Sequence, residues 1–298
     1  MRPTRRHAVA LLTAAALPLT LAACGSDDDS ETTASTSAAA GSATSTTVAG
    51  SCDKASLKLV NGGQLTVATD RPAYPPYFED DDPTNGRGFE SAVAYAIADQ
   101  LGFDRGEVKW VVEPFNSSYA PGPKRFDFDV NQISITPQRE RAVDFSSPYY
   151  TAPQAVVALK KSDAARATSL ADFKDVQLGV QIGTTSLDAA TDRIAPSKQP
   201  KVFNDSNDVV RALKQGQVDA VVVDLPSAFY LTAAQVPEAT IVGQFTAPGG
   251  DSWGALLARD SELTDCVSRA VDTLRSDGTL ERLEQQWMGE AAGAPELQ

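Results

Sequence analysis

The chain has 298 residues, with 39 Asp and Glu against 26 Lys and Arg, a net charge of −13 and a single histidine. So acidic a surface repels phosphate backbones and excludes nucleic acid as a partner. The stretch 52–289 is too long for one simple hydrophobic core and predicts two modest ones.

Arg2, Arg5 and Arg6 form a basic head, and an uncharged, mostly apolar run follows from Ala8 to Ala23. It ends in Leu21-Ala22-Ala23-Cys24-Gly25. This is the layout of a secretory signal over 1–23, short of the about 20 apolar residues of a comfortable membrane span. The Leu-Ala-Ala-Cys sequence resembles the lipobox of bacterial lipoproteins. That resemblance implies that Cys24 is diacylated and becomes the new N-terminus. The Arg5-Arg6 pair leaves open general secretory or twin-arginine export. Cleavage removes three arginines and no acids, which takes the charge from −13 to about −16. Residues 24–51 comprise Cys24 and a linker of Gly, Ser, Thr, Ala, Val, Asp and Glu only. With no large apolar side chain to offset ordering entropy, the linker reads as a flexible tether. No later apolar run approaches membrane-spanning length, so the lipid is the one expected membrane contact.

Cys52 and Cys266 remain, and an even pair in an oxidising compartment reads as one disulfide. The only histidine, His7, is lost with the leader, so neither a metal nor a cofactor is expected.

Residues 65–69 predict a strand. Residues 89–101 predict a helix with Phe89, Val93, Ala96, Ile97 and Leu101 on one face. Further strands follow at 108–112 and 128–133. A second unit repeats the alternation: strand 177–181, helix 184–194, strand 201–203, helix 207–215 ended by Gly216, and strands 220–223 and 240–242. Two helices close the chain, at 261–275 and 279–287. The alternation predicts an α/β architecture with largely parallel sheets. The apolar extended segments 154–160 and 252–259 bracket the second unit. They imply a discontinuous first lobe, 53–155 plus 254–298, and an inserted second lobe, 156–253. Two crossing strands make a hinge, and the cleft between lobes is the default ligand site.

Seven collinear motifs carry a resemblance. They are Thr69-Asp70 with Tyr74-Pro75-Pro76-Tyr77; Gly88-Phe89-Glu90; Ser134-Ile135-Thr136-Pro137-Gln138-Arg139; and Val143-Asp144-Phe145-Ser146-Ser147-Pro148-Tyr149-Tyr150. The second lobe adds Gly179-Val180-Gln181-Ile182-Gly183-Thr184-Thr185 and Val218-Asp219-Ala220-Val221-Val222-Val223-Asp224, and the C-terminal part adds Gly278-Thr279-Leu280 with Trp287. Over about residues 62–289, in order and spacing, the chain resembles the polar amino-acid-binding proteins of ABC importers, the family 3 extracellular solute-binding proteins. The resemblance implies a two-lobed, type II periplasmic-binding-protein-like fold.

A free amino acid is a zwitterion, so its site needs a cation for the carboxylate and an anion for the ammonium. A guanidinium grips a carboxylate with two parallel hydrogen bonds, which suits Arg139. Thr136 can cap a short helix with Pro137 at its first position, which fixes where Arg139 projects. Taken alone, Arg139 reads as a solvated helix-face arginine; its place in the motif reverses that. Ser134 lies just before the cap and should offer backbone and hydroxyl hydrogen bonds to the ligand. Gly183-Thr184-Thr185 opens a helix whose positive end suits a carboxylate. The resemblance makes Thr185 that contact, while capping alone would explain both threonines. Asp224 reads by itself as a helix cap, and the resemblance makes it the acid that holds the ammonium. It also implies that Tyr74 and Phe115 sandwich the ligand side chain, while either residue taken alone reads as plain core. Asp70 would read a polar or cationic side chain, or satisfy a turn. Two departures stand out. Tyr119-Ala120-Pro121-Gly122-Pro123-Lys124 must be mostly loop, and Asn131-Gln132 replace the usual small residues, which puts the Gln132 amide near the ligand.

The expected protein is a monomer, not an enzyme, that delivers a polar amino acid to an ABC permease. A ligand sensor would use the same capture. A cyclohexadienyl dehydratase-like enzyme on this fold needs a poised acid. Glu79, Asp80, Asp81 and Asp82 read instead as an exposed acidic run, and nucleophilic catalysis has no histidine or free thiol to use.

Overall fold

The computed structural model describes residues 52–247, 251–289 and 294–298. The expected leader, Cys24 and linker lie outside these residues.

The first half of the described chain runs β1 (Leu65–Thr69), α1 (Phe89–Gln100), β2 (Val108–Val112), α2 (Phe115–Ser118), β3 (Phe128–Asp129), β4 (Val143–Thr151) and β5 (Gln154–Leu159). It continues with β6 (Leu178–Gln181), α3 (Thr185–Ala189), β7 (Lys201–Phe203), α4 (Ser206–Lys214), β8 (Ala220–Asp224), α5 (Leu225–Tyr230) and β9 (Ala239–Phe245). It ends with β10 (Ser252–Ala258), α6 (Thr264–Ser276) and α7 (Thr279–Met288).

Two five-stranded sheets result, ordered β2-β1-β3-β10-β4 and β7-β6-β8-β5-β9. Each is mixed rather than largely parallel. β1 runs parallel to β2 and β3, and β6 parallel to β7 and β8. β10 is antiparallel to β3 and β4, and β5 to β8 and β9. The departure has a simple origin. A parallel pair needs a helical crossover, whereas β5 and β10 arrive straight from the other sheet and can run either way.

Every residue of β1 and β5 is buried, as expected of strands covered on both faces. In the first lobe, Val67, Phe89, Ile97, Phe128, Trp253 and Val267 fill one side of the sheet, and Ala68, Phe126, Ile133, Val143 and Leu256 the other. In the second, Val156, Phe173, Leu178 and Phe245 fill one side, and Val157, Leu213, Val221 and Leu225 the other. Each fully buried large side chain contributes about 1.5–3 kcal/mol. Cys52 is bonded to Cys266, with the Cα atoms 5.5 Å apart, and this pins the start of the described chain to α6.

Three local departures matter. β3 stops at Asp129, well short of 133, and the chain bends through Gln132 at φ 50°. The helix expected over 184–194 is α-helical to Ala189 and then widens into a π turn, Ala190–Ile194, ended by Ala195 in the left-handed region at φ 48°. The last residues, expected with the first lobe, lie on the second. The Leu297 amide donates to the Gln244 carbonyl at 2.8 Å, and the Leu297 side chain enters the second core, where it is buried. Gly243 makes room, since a Cβ there would meet Leu297 Cγ at 2.6 Å.

Candidate functional site

A cavity of about 190 Å³ opens between the lobes. Arg139, Ser134, Gln132, Tyr74, Asp70 and Phe115 line it from the first lobe, and Thr185 and Asp224 from the second.

Arg139 is 7 % exposed. It opens a single 3-10 turn, Arg139–Arg141, whose first amide donates to Thr136 Oγ1 at 3.2 Å. Nη1 donates to the Ser134 carbonyl at 2.6 Å, and Nη2 crosses the cleft to the Gly183 carbonyl at 2.9 Å. The guanidinium carbon lies 4.7 Å from the Tyr119 ring centroid and 5.5 Å from that of Phe115. A guanidinium has five N–H donors, so three remain for another partner. Among the described residues no carboxylate forms an ion pair with Arg139. Burial lowers its pKa from the usual value, against the opposing pull of Tyr119, Asp188, Asp224 and Asp251.

On the facing wall the two threonines divide the labour. Thr184 caps α3 by accepting from the Leu187 amide at 3.2 Å. Thr185 Oγ1 is thereby left to meet Ser134 Oγ at 3.2 Å. Asp224 does not cap α5 with its side chain. Its Oδ1 accepts from Gln154 Nε2 at 2.6 Å. Burial, then the neighbouring charge of Asp251, raise its pKa above the carboxylate range.

The aromatic and polar surroundings differ in how free they are. Tyr74 donates its hydroxyl to Asn207 Oδ1 at 2.5 Å and faces the Tyr230 ring at 6.1 Å. Phe115 opens α2 and packs edge-on against Tyr119 at 5.5 Å. Asp70 accepts from the amides of Arg71 at 2.6 Å and Phe115 at 3.0 Å, so its carboxylate shapes the loop that carries Phe115. Gln132 donates its amide N–H to Glu90 Oε1 at 2.7 Å and its side-chain N–H to Glu90 Oε2. Its Oε1 and the second N–H of its side-chain amide are left for another partner. The loop 119–124 is non-helical, and its Tyr119 reaches the second lobe at the Gly183 carbonyl, 3.4 Å away. With Tyr77 against Ser227 at 2.9 Å, these contacts describe two lobes drawn together over the cavity.

Several residues in and behind the cavity wall carry little or no sign of their contacts in the sequence. Glu90 is fully buried and accepts from Tyr149 at 2.5 Å; burial pushes its pKa up to about 7. Its sign in the sequence is an acid beside Phe89 on an apolar helix face. Gln154 is the one polar residue in the apolar run of β5. Asn207, Tyr230 and Asp251 carry no such sign, because their roles come from tertiary proximity. Among the described residues no cluster of three His, Cys, Asp or Glu side chains could hold a metal.

Residues 65–290 match the bacterial extracellular solute-binding proteins, family 3. The chain belongs to this family. Its members bind solutes, and the two mixed sheets with their helices make the α/β, two-lobed type II fold. Among relatives of this solute-binding protein is the arginine-binding extracellular protein ArtP of Bacillus subtilis, 28% identical over 281 residues, 93% of this chain and 96% of the relative. An ancestral arginine-binding protein bound to glutamine is 31% identical with a TM-score of 0.62, covering 76% of this chain and 98% of its own. An ancestral amino acid-binding protein, a precursor of cyclohexadienyl dehydratase, is 30% identical with a TM-score of 0.60, covering 76% of this chain and 95% of its own.

Proposed function

We propose that this solute-binding protein is an extracytoplasmic lipoprotein of an ABC importer, anchored through Cys24, that captures a free polar amino acid and presents it to a permease. The observation that carries this reading is Arg139, a buried guanidinium with no carboxylate partner among the described residues. A buried charge is tolerated only when paired, and a ligand carboxylate supplies the pair. Asp224 across the cleft supplies the complementary acid for the ammonium. The arginine-binding relative and the neighbour bound to glutamine support an amino acid as the ligand.

In this mechanism the ligand docks first on the lobe built from 53–155 and 254–289, through Arg139 and Ser134. The lobe 156–253 then closes about the two crossing strands and adds Thr185 and Asp224. Tyr74 and Phe115 flank the ligand side chain. Both charged ends must find partners at once, which selects against molecules that lack either. The dehydratase precursor favours a second reading, in which a protonated Asp224 acts as a general acid on a hydroxylated substrate.

A thermal-shift panel of free amino acids on the purified protein tests the reading. A binder stabilises by about 2.7 kcal/mol at a hundredfold excess over its dissociation constant. Silence across the panel, or an undiminished shift in Arg139→Ala, overturns the clamp. Consumption of a bound ligand during the assay would favour the enzyme.

A further inference from the structure

The two strands that join the lobes each bring one polar side chain to the back of Asp224. Gln154 begins β5 and is wholly buried; its register partner on β8 is Asp224 itself. Asp251 immediately precedes β10 and is 1 % exposed. Gln154 Nε2 donates to Asp224 Oδ1 at 2.6 Å and to Asp251 Oδ2 at 2.7 Å. Its Oε1 accepts from Ser186 Oγ at 2.6 Å. The amide orientation is therefore determined: turned over, its oxygen would face two carboxylates. The crossings are also tied through the backbone, where the Ala152 amide donates to the Asp251 carbonyl at 2.9 Å. Asp251 does not line the cavity, and its Oδ1 is buried without a hydrogen-bond partner.

We propose that Gln154 and Asp251 are positioning residues of the ammonium site, which orient the Asp224 carboxylate and couple ligand capture to the release of one proton. The inference rests on the amino-acid reading above and assigns roles to two residues that touch no ligand. Gln154 holds Oδ1 of Asp224 and leaves Oδ2 for the cleft. Asp251 places a second negative charge behind the first. The groups facing Asp224 are Asp251 from the second crossing, Arg139 from its 3-10 turn, Glu90 from α1, and the hydroxyls of Tyr77 and Tyr150. Arg139 is the one cation of this set, and the ligand carboxylate claims it. Burial and Asp251 together favour the neutral form of Asp224 before the ligand docks. The ammonium arrives carrying its own proton, so the proton of Asp224 leaves to solvent and a carboxylate–ammonium pair forms. Because binding releases a proton, affinity rises with pH until the unliganded Asp224 has lost its own proton, at about pH 8, and levels off above that.

Calorimetry on the purified protein, with L-arginine or whichever amino acid of the panel binds most tightly, measures this directly. Titrations in two buffers of different ionisation enthalpy, from about pH 5 to about pH 8, count the protons released. The wild type should release a proton and bind more tightly as pH rises. Asp251→Asn keeps the shape but removes the charge, so proton release should shrink and the affinity profile flatten. Gln154→Met keeps the volume but frees Asp224, and affinity should fall about tenfold to a hundredfold, the worth of a hydrogen bond to a charged group. A proton count in Asp251→Asn equal to the wild type overturns the role of Asp251. Unchanged affinity in Gln154→Met overturns that of Gln154. If the wild type binds no amino acid, the amino-acid reading falls first and this inference with it.

Discussion

Arg139 shows what a single side chain can demand of its surroundings. Two of its donors are spent on carbonyls, one from each lobe, and two aromatic rings flank it. Charge alone is therefore not what the position requires. Arg139→Lys keeps the charge but has no planar fork, so amino-acid affinity should drop at least about tenfold. Isothermal titration checks this, and equal affinity would show that the fork is dispensable. Glu90 makes a different demand. Folded, it keeps its proton up to about pH 7; unfolded, it loses it near the ordinary value, about 4. The folded state therefore binds more protons between these values, and stability declines as pH rises through that window. Thermal melts at about pH 5 and about pH 8 should show the higher Tm in acid for the wild type, with a smaller difference in Glu90→Gln. A difference of the same size in both proteins would remove Glu90 from the account.

At the scale of elements, the turn from β6 into α3 decides whether the lobes can meet. Gly183 sits there at φ 73°, and a Cβ would lie against the Tyr119 hydroxyl and 2.7 Å from Asn116 Oδ1. Gly183→Ala should leave each lobe folded but obstruct closure. Circular dichroism should be unchanged while ligand affinity falls, and wild-type affinity would show that the contact is not needed. Strands were the most legible elements in the sequence. The runs 65–69, 108–112 and 201–203 coincide with β1, β2 and β7, because short apolar or β-branched runs between turn residues have few other fates. The π turn after Ala189 was not legible, since adding one residue to a turn leaves the apolar spacing of a short helix almost unchanged. The mixed pairing of the sheets was hidden for another reason: strand direction depends on which lobe the chain has just left. In the cleft, residues inside motifs could be picked out, and all eight line the cavity. The geometry behind them could not. Gln132 lines the cavity, yet one N–H of its amide serves Glu90, a partner 42 residues away.

For the whole molecule, two long-range ties act on the first lobe and on the last residues. The bond between Cys52 and Cys266 closes a separation of 214 residues. Constraining so long a loop in the unfolded chain is nominally worth about 5 kcal/mol, and removal of native disulfides typically costs about 2–5 kcal/mol. Cys266→Ala should lower stability within that range by denaturant unfolding, with amino-acid affinity little changed, since no residue of α6 lines the cavity. A loss of affinity without a loss of stability would contradict this assignment. The second tie is the anchorage of 294–298 on the second lobe. α7 ends at Met288 on the first lobe, so the covalent chain passes between the lobes a third time. Five residue steps separate Gly289 from Ala294, and a fully extended backbone spans at most about 18 Å over that count. This third crossing acts as a leash of finite length. However freely β5 and β10 bend, the edge beside α7 can part only until the leash is taut, and further opening must first pull Leu297 out of the core that holds it.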